Sequence, residues 1–197
     1  MMNKRITVSV IGDSGVAPGS TLWLKAERLG RILIDNNYYI INGGMSGIME
    51  ACFIGAKQSE HYREGMTIAV ITAFDPSLAN TYADIVIPTG LDTYRNAIVA
   101  NADVVVALGG GAGTLSEMAF AWIFKRMIIA YYVSGWSGKL ADSRIDDRKR
   151  IEWEGDKVFK VTKEDEVPYL INKYLHHYEQ RHYSIVSAYR NKGKHTS

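Results

Sequence analysis

The chain has 197 residues and a formal net charge of +2, long enough for one domain with a full core and too nearly neutral to drive nucleic-acid or membrane binding by charge. Apolar residues make up 47%, a globular share, and no apolar run reaches the ~20 residues of a membrane-spanning helix. Cys52 is the single cysteine, which excludes an internal disulfide framework and suits a reducing cytoplasm.

Met1-Met2-Asn3-Lys4-Arg5 leads straight into a strand pattern with no signal-peptide core, so the expected location is cytoplasmic. Ile6 to Ile11 reads as a buried strand ending in the loop Gly12-Asp13-Ser14-Gly15. Leu22, Ala26, Leu29 and Leu33 recur at helical spacing. Tyr38 to Ile41 is a second strand, closed by Asn42-Gly43-Gly44, and Ile48, Met49, Cys52, Phe53 and Ala56 form the next helical stripe. Strands three and four are Met66 to Ile71 and Asp84 to Ile87. A helix over Tyr94 to Asn101 leads to a fifth strand at Val104. The run Gly109-Gly110-Gly111-Ala112-Gly113-Thr114-Leu115-Ser116-Glu117 then opens a further helix, and Arg126 to Val133 is a sixth strand.

The remainder is less regular. Residues 134–156 mix Trp136, Gly135 and Gly138 with dense charge, the mark of an exposed loop or lid inserted late in the chain. Trp136 there serves either as a base-stacking ring or as a lid anchor. Val158 to Val161 fits a last short strand and Glu164 to Arg181 a helix, and the polar tail 189–197 is expected to fray. Alternating strands and helices of this kind predict an α/β fold: a Rossmann-like, doubly wound parallel sheet in three α/β/α layers, with 1–197 as a single domain.

Ligands of such sheets sit outside the carboxyl ends of the strands. Four motifs follow strand ends, and each adds candidates: Gly12, Ser14 and Gly15; Gly43, Gly44, Met45 and Gly47; Thr89, Gly90 and Asn96; and Gly109, Gly110, Gly111, Ala112, Gly113 and Thr114. The last run is the most informative. Strand, glycine turn and helix aim free N–H groups and a positive helix end at an anion, and glycine lets a phosphate approach the backbone. The spacing is not that of a nicotinamide-binding G-x-G-x-x-G turn, nor of a P-loop, because no glycine precedes a Lys-Ser/Thr pair. No cysteine or histidine pair has zinc-site spacing, so no metal ligands are assigned.

Two charged residues need a reason to be in such a site. Glu117 would repel a phosphate unless it faces another part of the ligand. Its bland alternative is a capping box, with Thr114 as N-cap and Glu117 bonding back to it. Arg95 falls in the first turn of a helix capped by Asp92 or Thr93, where a cation opposes the helix dipole unless an anion faces it.

Gly109 to Glu117 resembles the G-G-x-G-T-x-x-E signature of the LOG family. Asn42-Gly43-Gly44-Met45-Ser46-Gly47-Ile48-Met49-Glu50 resembles that family's second glycine loop, and Pro88-Thr89-Gly90 with Arg95-Asn96 its arginine-bearing segment. The likeness covers roughly residues 5 to 133 and is strongest to the branch that contains the molybdenum cofactor carrier proteins. LOG enzymes cleave the N-glycosidic bond of nucleoside 5′-monophosphates, and the resemblance implies Arg95 and Glu117 as the catalytic pair. A carboxylate beside the sugar would stabilise an oxocarbenium-like centre or activate water. Cytokinin-branch enzymes usually carry Pro, Lys and Glu where this chain has Gly109, Asn96 and Ser116.

Three readings follow: a phosphoribohydrolase, a carrier with molybdenum cofactor as cargo, or a nucleotide sensor. All share a phosphate-bearing ligand, a nucleoside monophosphate or a pterin, with no cofactor required for activity. Membrane and specific nucleic acid are not expected partners. The resemblance also implies a homodimer or higher homo-oligomer, and the apolar segments around Ile98 and Trp122 are the expected contact.

Overall fold

Runs of Val, Ile and Ala become central strands because both sheet faces bury them. The computed structural model describes residues 5–182. Within them lie β1 (Thr7–Gly12), β2 (Tyr39–Asn42), β3 (Thr67–Ile71), β4 (Ile85–Pro88), β5 (Val104–Leu108), β6 (Met127–Tyr131) and β7 (Val158–Val161). All pair in parallel, in the order β4-β3-β2-β1-β5-β6-β7. Every residue of β5 and β6 is buried. The order turns back at β1 and β5, registered by Val8 opposite Val104 through Gly12 opposite Leu108. That switch point opens a crevice at the carboxyl ends of the strands.

Helices α1 (Thr21–Asp35), α2 (Ile48–Lys57) and α6 (Glu166–Tyr174) cover one face. Helices α3 (Asn96–Val99), α4 (Ala112–Ile123) and α5 (Trp136–Leu140) cover the other. Ser20 caps α1 by accepting the Trp23 N–H at 3.4 Å. Helices α1 and α2 approach closely, since a Cβ on Gly30 would run into the Cys52 carbonyl. Cys52 itself is fully buried.

Three local expectations are corrected. The helix over Tyr94 to Asn101 is a 3₁₀ turn, Asp92–Arg95, followed by the single turn of α3. No side chain caps either piece, and Arg95 ends the tight turn and stands at the N-cap position of α3, not inside the first turn of a helix capped by Asp92 or Thr93. Residues 134–156 are not simply an exposed loop: they include α5, and Ser137 is fully buried against the glycine turn. The last helix is α-helical only to Tyr174 and continues as 3₁₀ over Leu175–His182. The tail 189–197 lies outside the described residues.

Candidate functional site

Helix α4 starts at Ala112, with Gly111 as N-cap and no side-chain cap. Thr114 is therefore inside the first turn, and the capping box is overturned. The Glu117 carboxyl, one turn further on, faces Arg95 instead: Arg95 Nη1 donates to Glu117 Oε1 at 3.2 Å. Both residues are buried, 4% and 7% exposed. Burial pushes the Glu117 carboxyl up to about 7, against the opposing pull of the Arg95 charge. The guanidinium does not deprotonate, so a proton enters or leaves this pair at Glu117.

Arg95 is incompletely satisfied. Its Nε has no hydrogen-bond partner, and its Nη2 reaches only the Met45 sulfur at 3.9 Å. The guanidinium lies against Gly43, where any Cβ would collide with it. That contact is why the second glycine loop has no side chain at this position. Asn42 sets the loop: its Oδ1 accepts the Gly44 N–H at 2.8 Å and its Nδ2 donates to the Met49 carbonyl at 3.0 Å.

These groups line one cavity of about 280 Å³: Gly12, Asp13, Ser14, Met45, Met49, Arg95, Asn96, Gly111, Gly113, Thr114 and Glu117. Among the described residues two larger hollows, about 330 and 440 Å³, lie beside β7 and past the end of β6, but neither contains the charged pair. The cavity combines a buried cation with the start of α4, whose first N–H groups have no intrahelical acceptor. This is the arrangement that holds a phosphate or another oxyanion.

The other sequence candidates stand behind or beside the cavity. Gly109 and Gly110, at φ 64° and 86°, form the turn itself, and a Cβ on Gly110 would collide with Thr114. Gly44 packs against Ala69 and Ile71, while Gly47 passes close to the Asp13 carbonyl at the start of α2. Gly15 donates to Asp13 Oδ1 at 2.8 Å, closing the first loop. Ala112 is exposed in the first turn of α4. Thr89 and Gly90 do not reach the cavity: Thr89 Oγ1 bonds the Ile71 carbonyl at 2.7 Å, and Gly90 lies under the Phe74 ring. Asn96 donates to Ser116 Oγ at 2.9 Å, and Ser116 donates on to the Gly113 carbonyl at 2.7 Å.

Sequence reasoning passed over two residues. Asp13 lines the cavity although only its neighbours were singled out. Ser137 locks the glycine turn: it accepts the Gly109 N–H at 2.7 Å and donates to the Tyr131 carbonyl at 2.8 Å. Nothing in the local pattern around Ser137 signals this, because the turn it holds at Gly109 is distant in sequence. Among the described residues no cluster of three or more His, Cys, Asp or Glu side chains is placed to hold a metal.

With this geometry in place, the comparison with known proteins is specific. A model of the SLOG cluster4 family matches residues 5–167. The chain belongs to that family. An uncharacterized protein of Archaeoglobus fulgidus is 35% identical over 119 residues, covering 60% of this chain and 74% of that one. The molybdenum cofactor binding protein of the phototrophic bacterium Rippkaea orientalis has a similar structure, with a TM-score of 0.72 and 27% identity over 87% of this chain and 98% of its own. The molybdenum cofactor carrier protein of Chlamydomonas reinhardtii aligns with a TM-score of 0.68 and 22% identity, over 86% and 98%; at that identity it speaks for the fold alone. No helix among the described residues is long and apolar enough to cross a membrane.

Proposed function

We propose that this protein binds a phosphate-bearing heterocyclic ligand at the cavity between β1 and β5 and acts as its carrier, with a pterin of the molybdenum cofactor type as the favoured cargo. The observation that carries the reading is Arg95: a buried guanidinium with an unpartnered Nε, lining the same cavity as the start of α4. A buried donor without an acceptor costs ~1–3 kcal/mol, and an anionic ligand removes that cost. The pterin preference rests on the 27% identity to the Rippkaea orientalis protein over nearly its whole length. Gly111, Gly113 and Thr114 would take the phosphate, Arg95 its charge, and Met45 and Met49 the flat ring.

A second reading, a nucleoside 5′-monophosphate phosphoribohydrolase, is favoured by Glu117. A cavity carboxyl held near 7 suits proton transfer at neutral pH. Ser116 replaces the second carboxylate of the cytokinin-branch enzymes and is occupied with Asn96 and Gly113, which leaves Glu117 to act alone and favours the carrier.

Native mass spectrometry of the purified protein, followed by titration with nucleoside monophosphates while free base is assayed, tests both. A retained or titratable phosphate ligand without base release is the expected result. Base release that disappears in Glu117→Gln would establish the hydrolase, and absence of any phosphate-ligand binding would refute both.

A further inference from the structure

The charges lining the cavity do not suit an anion alone. Arg95 is its one cation among the described residues, and two carboxylates, Glu117 and Asp13, stand against it. Glu117 is accounted for by its ion pair with Arg95. Asp13 has no cationic partner among the described residues. Asp13 is exposed; among the described residues its Oδ1 accepts the Gly15 N–H and its Oδ2 accepts from no protein group, so that oxygen is open to a ligand.

Asp13 is nevertheless held firmly. It occupies the loop directly after β1, and its carbonyl accepts the Ile48 N–H at the start of α2 at 3.1 Å. Gly47 lies so close to that carbonyl that no side chain fits there. Ser46 Oγ donates to the neighbouring Ser14 carbonyl at 2.8 Å. The first two glycine loops are thus tied together, and the Asp13 carboxylate is carried on a rigid platform beside the anion-binding elements. A carboxylate with Oδ2 unused and a second lone pair left on Oδ1 can accept two adjacent hydrogen-bond donors, and charge-assisted bonds to such an acceptor are the strong ones.

We propose that Asp13 is the specificity-determining residue of this site and recognises two adjacent hydrogen-bond donors on the ligand, apart from its phosphate. This rests on the phosphate-ligand reading above and refines it. Two ligand parts carry such a donor pair. One is the edge of a 2-amino-4-oxopyrimidine ring, as in guanine and in pterins, and the other is the vicinal diol of a ribose. An unsubstituted adenine ring edge offers no equivalent pair.

Equilibrium titration of the full chain with GMP, IMP, 2′-deoxy-GMP and inorganic phosphate separates the possibilities. IMP differs from GMP only in lacking the ring amino group, and 2′-deoxy-GMP only in lacking half of the diol. Wild type should favour GMP over one of the two by roughly ten- to hundredfold, the discrimination a charged acceptor provides. Asp13→Asn keeps an oxygen for the Gly15 N–H, so the loop is preserved, but it replaces a pure acceptor by a mixed donor and acceptor. The preference should collapse in this variant, while inorganic phosphate binds more tightly because a negative charge has gone. Loss of the GMP-over-IMP preference assigns the ring edge; loss of the GMP-over-deoxy preference assigns the diol. Asp13→Ser, which can also close the loop, should behave alike if Asp13→Asn folds poorly.

Equal wild-type affinity for all three nucleotides, or a preference unchanged in both variants, overturns the proposal and reduces Asp13 to a loop-closing residue. Wild type that binds neither nucleotide nor inorganic phosphate refutes the underlying phosphate-ligand reading, and this one with it.

Discussion

Arg95 and Glu117 form a pair whose energetics turn on which partner can change charge. Removing Arg95 takes away a charge-assisted donor, so Arg95→Ala should weaken binding of a phosphate ligand by about 1.5–3 kcal/mol in calorimetric titration. The helix-dipole argument from sequence would have this variant neutral or slightly stabilised, but the geometry changes the sign at high pH. Glu117 would be left buried with no cation, and its folded pKa would climb further above its unfolded value. Stability tied to such a raised carboxyl is present below the unfolded value and is lost as pH rises through the folded one. Thermal melts should therefore show Arg95→Ala close to wild type at pH 5 and clearly less stable at pH 8. Equal deficits at both values would mean that packing, not charge, is what Arg95 supplies. The same proton controls anion affinity. Below about 7 a neutral Glu117 leaves Arg95 uncompensated, and above it the pair is internally neutralised. Sulfate, which does not titrate in this range, should bind more weakly as pH rises from 6 to 8. Glu117→Gln should flatten that dependence, and a slope that survives the substitution would place the titrating group elsewhere.

At the scale of elements, the glycine turn between β5 and α4 is held from outside the motif that announces it. Ser137 takes the Gly109 N–H, and the Trp136 and Ser137 N–H groups bond the carbonyls of Gly110 and Gly109, each at 3.0 Å. Helix α5 is thus a backing plate for the glycine turn. Ser137→Ala would leave a buried N–H without an acceptor, a cost of about 1–3 kcal/mol. It should lower the melting temperature and weaken phosphate binding together; a loss of stability with unchanged affinity would show that the turn keeps its shape unaided. The strands and the motif loops were legible because their signals are local: apolar runs such as Val104 to Leu108, and glycines where a turn or a side chain needs room. Gly43 illustrates how far that reach extends. Its glycine was readable, but its cause, the Arg95 guanidinium from beyond β4, was not. Ser137 escaped because the Gly109 it holds is distant in sequence, and Asp13 because the cavity it lines is shared with Arg95 and Glu117 from distant segments. The capping box misled because S/T-x-x-E fits a helix start wherever it occurs, and here the N-cap is Gly111, so α4 begins too early for Thr114 to cap it.

At the scale of the whole molecule the two sheet faces are unequally covered. One carries α1, α2 and α6, whereas the crossover from β4 to β5 on the other has only a 3₁₀ turn and the four-residue α3. The row Ile41, Ile68 and Ile85, aligned by strand register, is left incompletely buried, with Ile87 beside it. Phe74, Leu78, Leu91, Tyr94 and Ile98 extend the apolar surface around the β4 edge, and Phe74 and Tyr94 are about four-fifths exposed. Patches of this extent on a chain mark contact surfaces. The sequence-based assignment of the homo-oligomer contact to Ile98 and Trp122 needs correcting at the second residue. Trp122 is 3% exposed and donates its indole N–H to Asp146 at 3.0 Å, so it is core. A second copy meeting this face across a two-fold axis would lay the same isoleucine row against itself, the self-complementary contact that a C₂ dimer requires. A stable dimer buries ~800 Å² per partner, which this run of large side chains from Phe74 to Ile98 is suited to supply. Sedimentation of wild type at micromolar concentration should give twice the monomer mass. Ile87→Lys, at a half-exposed position with room for a charge in the monomer, should return the protein to monomer without lowering the stability of the monomer by more than about 0.5 kcal/mol. A monomeric wild type, or a dimer indifferent to a lysine at 87, would remove this face from consideration as the contact between copies.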